Sequence, residues 1–354
     1  MTTETVADVT QTISTNVLTS SSSRGIEFYF QCAVIVIGVV GTAANALILY
    51  AMVASKQHKK NILIFNQNVI DLFSCIFLVI TYAAVLCNFH LIGSTGYWLC
   101  MLILSENLLW CMIMASKTNL IFVTIERYLK VVHSAWSKKK LRNWMIYSAI
   151  AFAWISGFIH VNALVFPTSD VIDGVCYSSV IWKSRVAQLS YAIFIFLLFV
   201  VFILIIFVVC YWRILIAIRR QAHVMTGYDT SGPSASQVQS HQMQSNVIKT
   251  MILVSAFYTI SDLPMNIFLL ITYIRGSFTI LLGVYFPLLL LSFFYFCANP
   301  FIYATKFDPV KRVLLRLILC KTTPVQPIEN INLTASATSH RTQPGKQQVC
   351  HGRY

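Results

Sequence analysis

Seven stretches of this chain are apolar over lengths that no ordinary soluble core helix needs. They run roughly from Phe28 to Ala54, Asn61 to Cys87, Trp98 to Val131, Asn143 to Val165, Ser184 to Ile218, Val247 to Ile274 and Ser277 to Thr305. At about 1.5 Å of rise per residue, each is long enough as a helix to cross a hydrocarbon core about 30 Å thick. Lipid offers no partner to a backbone N–H or C=O, so only helices and closed barrels span it, and segments of this length read as helices. A mean hydropathy of +0.70, with 11% charged residues in 354, excludes an ordinary soluble domain. The expected fold class is an all-α membrane protein, a seven-transmembrane helix bundle.

The basic residues orient the bundle. Most of the 26 Lys and Arg fall on one side: Lys56, Lys59 and Lys60 after the first span, then Lys130, Lys138, Lys139, Lys140 and Arg142 after the third. Arg213, Arg219, Arg220 and Lys249 follow the fifth, and the C-terminal tail adds more; the opposite side has Arg24, Lys183, Arg185 and Arg275. The positive-inside rule then puts the N-terminus outside and the C-terminus in the cytoplasm, as in a multi-pass plasma-membrane protein. The net charge of +14 reads as topology and attraction to anionic lipid, and nucleic acid is not an expected partner.

The flanks read as follows. Residues 1–27 form a polar, Ser/Thr-rich outer segment without the basic start and apolar core of a cleaved signal peptide, so the first span is expected to act as its own insertion signal. The polar stretch "RRQAHVMTGYDTSGPSASQVQSHQMQS" reads as a mobile cytoplasmic linker. Beyond the seven-span region 28–305, "DPVKRVLLRLILCK" within 306–320 spaces apolar residues helically around Lys311, Arg312 and Arg316, a pattern suited to a short amphipathic eighth helix at the membrane interface. Cys320 at its end is a lipidation candidate. Residues 321–354 read as a disordered tail, and the "NLT" at Asn332 is discounted as a glycosylation acceptor because it falls on the cytoplasmic side. Of the ten cysteines most lie within spans; Cys100 and Cys176 lie at the outer face, where an oxidising compartment permits a disulfide.

A series of short motifs then sits on the spans in order: "GTAANALILY" with Asn45 on the first, "NQNVIDLFSC" with Asp71 on the second, "ERYLKVV" at the end of the third and "FAWISG" with Trp154 on the fourth. "DLP" lies on the sixth, and "NPFIY" closes the seventh. Together, over Phe28 to Cys320, they resemble the rhodopsin-like (class A) family of G-protein-coupled receptors. The resemblance implies roles. Arg127, held by Glu126 and followed by Tyr128, is released to meet a heterotrimeric G protein when the sixth helix swings out. Tyr211 and Tyr303 meet that end of the bundle on activation. Asn299 and Pro300 bend the seventh helix, where proline strands a carbonyl that a polar side chain helps satisfy. Asp71, with Ser116 on the third helix and Asn299 on the seventh, matches the family's sodium site, with Asn45 as neighbour. Cys100–Cys176 matches the disulfide between the third helix and the second outer loop, although Cys100 stands about two residues early relative to Arg127, so the top of the third helix is expected to begin differently. Arrestin is a further implied partner.

Four departures from the family pattern bear on mechanism. Asp262 stands two residues before the sixth-span proline, where an aromatic is usual, and Lys117 stands where the third helix usually has an aliphatic residue. The fifth span has no proline, and Gln244 replaces an acidic partner for Arg127. Buried charges neutralise one another, because an isolated one costs several kcal/mol. The expectation is that the Lys117 ammonium lies between Asp262 and Asp71 and wholly or partly replaces sodium, either as a switch or as a structural pair.

For ligand class, the aspartate of amine receptors maps onto Leu109, with Glu106 one turn higher and Asn107 the nearest polar substitute if the register shifts. The seventh span, "LLLLSFFYFCANP", has no lysine for a retinal Schiff base, so no retinal cofactor is expected. Glu106, Asn107, Trp110, Met114, Tyr191, Asn266, Tyr273 and Phe286 are the candidate lining of an outer cavity suited to a small molecule. "NPFIYATKFDPVKRVLL" is also similar to chemosensory receptors of invertebrate chordates, and vertebrate odorant receptors share "NPFIY", so an odorant-type ligand leads, with a peptide or amine behind it. No enzymatic chemistry is expected. The competing class is a seven-helix transporter or pump using Asp71, Glu106, Lys117 and Asp262 as a relay; a receptor-like partner that couples poorly is a third.

Overall fold

The computed structural model describes residues 4–87, 89–178, 182, 184–226, 235–275, 282–306 and 308–318. Seven of its helices are long and apolar enough to cross a membrane: Gly25–Ala54, Ile62–Leu86, Gly93–Val132, Asn143–Thr168, Arg185–Arg220, Ser245–Arg275 and Gly283–Thr305. The third is the most enclosed, with 61% of its apolar window buried against 22% for the fourth and fifth, so it forms the axis of the bundle. It packs on the second, fourth and fifth spans, while the first packs on the second and seventh and the sixth on the seventh. Outward faces carry Phe152, Ile155 and Ile159 of the fourth span and Val208 and Trp212 of the fifth, all exposed. Apolar surface turned outward in this way suits lipid as the solvent.

Several boundaries differ from the sequence reading. The first helix is continuous over Glu4–Ala54, and no proline stands in that stretch to stop it. The fifth helix runs on to Thr226 and the sixth begins at Ala235, so much of the expected linker is helical. Once nucleated, a helix propagates through Gln, Met, Ala and Ser, and the breakers of that linker, Gly227, Gly232 and Pro233, cluster between the two ends.

The third span is broken near its Cys100 end. A helix over Gly93–Leu99 passes into a wide π-helical turn, Cys100–Leu104, and the chain re-enters a regular helix at Asn107 through Glu106, whose φ of 58° is left-handed. The wide turn and the break absorb the two extra residues counted between Cys100 and Arg127. The fifth span has a second wide turn at Leu197–Val201, so a local π-turn occurs there without a proline.

A hairpin, β1 (Asp170–Ile172) and β2 (Val175–Tyr177), lies across this end. Its two-residue turn, Asp173–Gly174, has φ of 50° and 76°, the positive pair that an Asp-Gly turn adopts. A disulfide joins Cys100 to Cys176 on β2 with a Cα–Cα distance of 5.4 Å, and the Leu91 amide donates to the Gly174 carbonyl at 3.0 Å. At the other end, helix Asp308–Ile318 buries Val310, Val313 and Leu314 and exposes Lys311 and Arg312. The Gln244 side chain, Cys320 and Asn332 lie outside the described residues.

Candidate functional site

The polar groups line the third span from end to end, and its middle holds the densest cluster. Asp71 is fully buried; its Oδ1 accepts from Ser116 Oγ at 3.0 Å and Gln67 Nε2 at 3.1 Å, and its Oδ2 accepts from Asn299 Nδ2 at 2.9 Å. Gln67 also donates to Ser116 at 2.5 Å and accepts from Asn119 at 2.8 Å; Asn119 accepts from Asn66, which accepts from Trp154 Nε1 at 3.1 Å. Spans two, three, four and seven are thus tied by side chains that have no alternative partner in lipid. For sodium the donor set is suitable: the Asp71 carboxylate, Ser116 Oγ and Asn299 Oδ1, which is buried without a hydrogen-bond partner, are hard oxygens.

Asn45 has a specific duty. Pro300 has no N–H, so the Phe296 carbonyl four residues earlier loses its helical donor; Asn45 Nδ2 supplies one at 3.2 Å from the first span. The side chain that repairs the bend is therefore Asn45, while the Asn299 amide goes to Asp71.

Lys117 follows Ser116 by one residue, about 100° further round the helix, and so faces a different neighbour. Its Nζ lies 2.9 Å from Asp262 Oδ2, with the two side chains 3% and 12% exposed. The same oxygen accepts from Tyr258 Oη at 3.1 Å and Asn266 Nδ2 at 2.8 Å, and the Lys117 ammonium sits 5.9 Å from the Tyr258 ring centre. Tyr258, Asp262 and Asn266 are spaced four apart on one face of the sixth span. Among the described residues no ion pair joins Lys117 to Asp71, which corrects the expectation of an ammonium shared by both carboxylates. Asp71 already has three donors from its own side of the bundle, and the lysine points to the sixth span.

At the far end of the third span, Arg127 Nη2 lies 3.3 Å from Glu126 Oε2 and donates to Asn61 Oδ1 at 2.9 Å. Glu126 is shared with Lys130 at 2.5 Å, and Arg127 Nε is buried without a partner. Tyr128 turns away to His133 at 3.2 Å. Tyr211 bonds Ser255 at 2.7 Å and Thr124, one turn from Arg127, at 3.1 Å; Tyr303 is buried. A cleft of about 400 Å³ opens here, lined by Lys59, Lys60, Glu126, Lys130 and Lys138.

At the disulfide end, the candidate lining divides. Glu106, Trp110 and Phe286 belong to one group: Tyr82 Oη donates to Glu106 Oε1 at 2.9 Å, Trp110 Nε1 donates to Oε2 at 2.8 Å, and Phe286 stacks on Phe30 at 4.5 Å. Tyr191 instead stacks with His160 and bonds it at 3.2 Å. Asn107 donates to the Met101 carbonyl and to Asn162 Oδ1, both at 3.0 Å, so it seals the helix break, and Leu109 and Met114 are buried. Asn266 is committed to Asp262, and the Tyr273 carbonyl accepts from Arg185. Among the partners that the sequence reading did not single out are Gln67, Tyr258, Tyr82 and Asn61. The first two had a usable signal, since each stands four residues before an intramembrane carboxylate; Tyr82 and Asn61 meet their partners only across spans.

The family model for the 7 transmembrane receptor (rhodopsin family) matches residues 44–303, most of the chain and all seven spans in whole or part. A relative, the Neuropeptide Y receptor type 6 of Mus musculus, is 22% identical over 248 residues, covering 66% of this chain and 64% of that receptor's length. The motif residues on all seven spans and this match agree: the chain belongs to the rhodopsin family of seven-transmembrane receptors.

Proposed function

We propose that this receptor takes a small-molecule ligand, with odorants among the candidates, in the half of the bundle below the Cys100–Cys176 disulfide. It answers by promoting nucleotide exchange on a heterotrimeric G protein at the Arg127 end. Family membership implies the G-protein coupling; the ligand class and the roles of individual residues are this reading's own. The observation that carries it is the third span itself. One helix bears Glu106 among aromatic side chains at one end, the Lys117–Asp262 tie to the sixth span in the middle, and Arg127 held by Glu126 and Asn61 at the other.

The mechanism follows from those contacts. A ligand against Trp110 and Phe286 acts on the third and seventh spans, next to the sixth-span face that carries Asp262. Pro264, two residues beyond Asp262, weakens the sixth helix locally and makes it the hinge. Separation of the sixth span from the third breaks the Lys117–Asp262 pair and frees the neighbourhood of Arg127, whose unpartnered Nε and planar fork of donors suit carbonyl or carboxylate acceptors on a partner. Sodium held by Asp71, Ser116 and Asn299 would tie spans two, three and seven in the resting arrangement. With the N-terminus outside, the Arg127 end faces the cytoplasm, where the G protein and arrestin are found, and the receptor sits in the plasma membrane.

The Neuropeptide Y receptor likeness favours a peptide as the second reading of the ligand. A panel of odorants, amines and peptides, applied to cells carrying the receptor and a G-protein dissociation reporter, decides between them. A small molecule is expected to give a saturable response that Arg127→Ala abolishes; response to peptides alone transfers the assignment to the second reading.

A further inference from the structure

The described carboxylates inside the bundle do not all have the same company. Glu126 shares Arg127 and Lys130, and Asp262 holds Lys117. Asp71 lies in the middle of the bundle among three neutral donors, Gln67, Ser116 and Asn299. Glu106 is the remaining one, and it has two neutral donors, Tyr82 and Trp110, and among the described residues no ion pair. Among the described residues, the Lys and Arg side chains of this half are engaged or turned outward: Lys117 with Asp262, Arg185 with Gln188 and the sixth-span carbonyls, and Arg275 exposed. An ionised carboxylate accepts about four hydrogen bonds, so one on each oxygen leaves about half its capacity open.

The backbone is bent to put it there. Glu106 adopts the left-handed region, φ 58° and ψ 16°, at the break in the third span. For a side chain with a Cβ and no turn-forming group this region is strained, and such conformations persist where surroundings over-determine them, often at ligand clamps. The surroundings are aromatic. Tyr82 meets Phe30 edge-on at 5.7 Å and Phe293 at 5.9 Å; Trp110 meets Phe293 at 6.3 Å; Phe30 stacks on Phe286, which meets Tyr285 at 5.6 Å. Rings from spans one, two, three and seven thus form one connected wall, and two of its polar members, Tyr82 and Trp110, hold the carboxylate in place.

We infer that this group is a receptor site for an organic cation: an ammonium or guanidinium lies against Glu106, with its apolar substituents on the aromatic wall. A desolvated carboxylate without a counter-charge is costly, a cation supplies the missing charge, and aromatic faces attract it further. A neutral odorant fills the same wall but leaves the charge uncompensated. The position is not that of the amine-receptor aspartate, which falls on the buried Leu109. The inference rests on the proposed ligand-binding half, and it narrows the ligand to cations. The cation is either a small amine or the basic side chain of a peptide.

The test measures binding and needs no G protein, so its failure is distinct from failure of the coupling reading. Purified receptor in lipid nanodiscs is melted with choline or with its neutral isostere 3,3-dimethylbutan-1-ol, with 2-phenylethylammonium or 3-phenylpropan-1-ol, and with phenylalanyl-arginine amide as the peptide arm. At least one cation is expected to raise the melting temperature while its neutral counterpart does not. Glu106→Gln is expected to weaken that cation at least tenfold, and Glu106→Asp to restore part of the loss. A larger shift from the dipeptide than from the amines assigns the peptide source. Equal shifts from cation and isostere, no shift from any of the cations, or a cation shift unchanged in Glu106→Gln overturns the inference. Should Glu106→Gln lower the melting temperature of the empty receptor, Trp110→Phe, which keeps the ring and removes one donor, gives the second measurement: the cation must still bind, with altered affinity.

Discussion

Removing either partner of the buried Lys117–Asp262 pair should destabilise the receptor unequally, and removing both should not. The unequal cost follows from what each partner leaves behind. In Lys117→Met, Asp262 keeps the Tyr258 hydroxyl at 3.1 Å and the Asn266 amide at 2.8 Å, which offset part of the lost attraction. In Asp262→Leu, Lys117 keeps the Tyr258 ring at 5.9 Å, a contact of about 1–2 kcal/mol when desolvated. Breaking a buried pair costs about 3–5 kcal/mol, so Lys117→Met belongs near the lower figure and Asp262→Leu near the upper. The double variant replaces two charges with apolar side chains and should lie within about 1 kcal/mol of wild type. At roughly 2–4 °C per kcal/mol, these values separate clearly in a melting assay on nanodisc receptor. The same cycle reads out signalling. If the pair exists only while the sixth span rests against the third, losing about 3 kcal/mol from that state multiplies the active-to-resting ratio about 100-fold, since 1.4 kcal/mol is tenfold. A receptor active about 1% of the time becomes active about half of it. Wild-type basal activity in all three variants at equal surface expression refutes the switch, and a double variant as unstable as the sum of the singles refutes the pairing.

Three further outcomes are expected. Cys100→Ser opens a link between residues 76 apart in sequence, worth about 4 kcal/mol by the chain-entropy relation, and should lower surface expression and the melting temperature; an unchanged melt excludes a stabilising disulfide. Asn61→Ala removes a hydrogen bond to the charged Arg127, worth about 1.5–3 kcal/mol, and should raise basal exchange about tenfold; no rise removes Asn61 from the restraint on that arginine. Sodium chloride should lower basal exchange relative to potassium chloride in wild type and have no specific effect in Asp71→Asn or Asn299→Ala; equal salt effects in all of them contradict a sodium site there.

The spans were readable because lipid leaves so few solutions: long apolar runs must be helices, and motif order supplied the arrangement. The breaks were not. "CMLILSENLLW" holds neither glycine nor proline, so nothing local announces the wide turn at Cys100–Leu104 or the left-handed Glu106; only the excess of two residues before Arg127 pointed to them. The hairpin did have a signal, the Asp173–Gly174 pair in "VIDGV". Within the polar core, the pairing of Lys117 with Asp262 followed from charge balance, but its separation from Asp71 depended on a 100° helical step that separates Ser116 from Lys117. Asn45 as the donor to the Phe296 carbonyl, and Tyr82 as a donor to Glu106, are contacts across spans that no spacing within one segment encodes.

A ligand in the Glu106 half should drive nucleotide exchange at the Arg127 end. The most direct measurement is guanine-nucleotide exchange by purified heterotrimeric G proteins on receptor reconstituted in proteoliposomes, with and without a ligand that binds it, alongside solute and proton flux across the same membranes. Ligand-stimulated exchange on at least one G protein, abolished by Arg127→Ala, is expected with no flux. Transport without exchange on any G protein would contradict it and restore the intramembrane charges to the role of a relay.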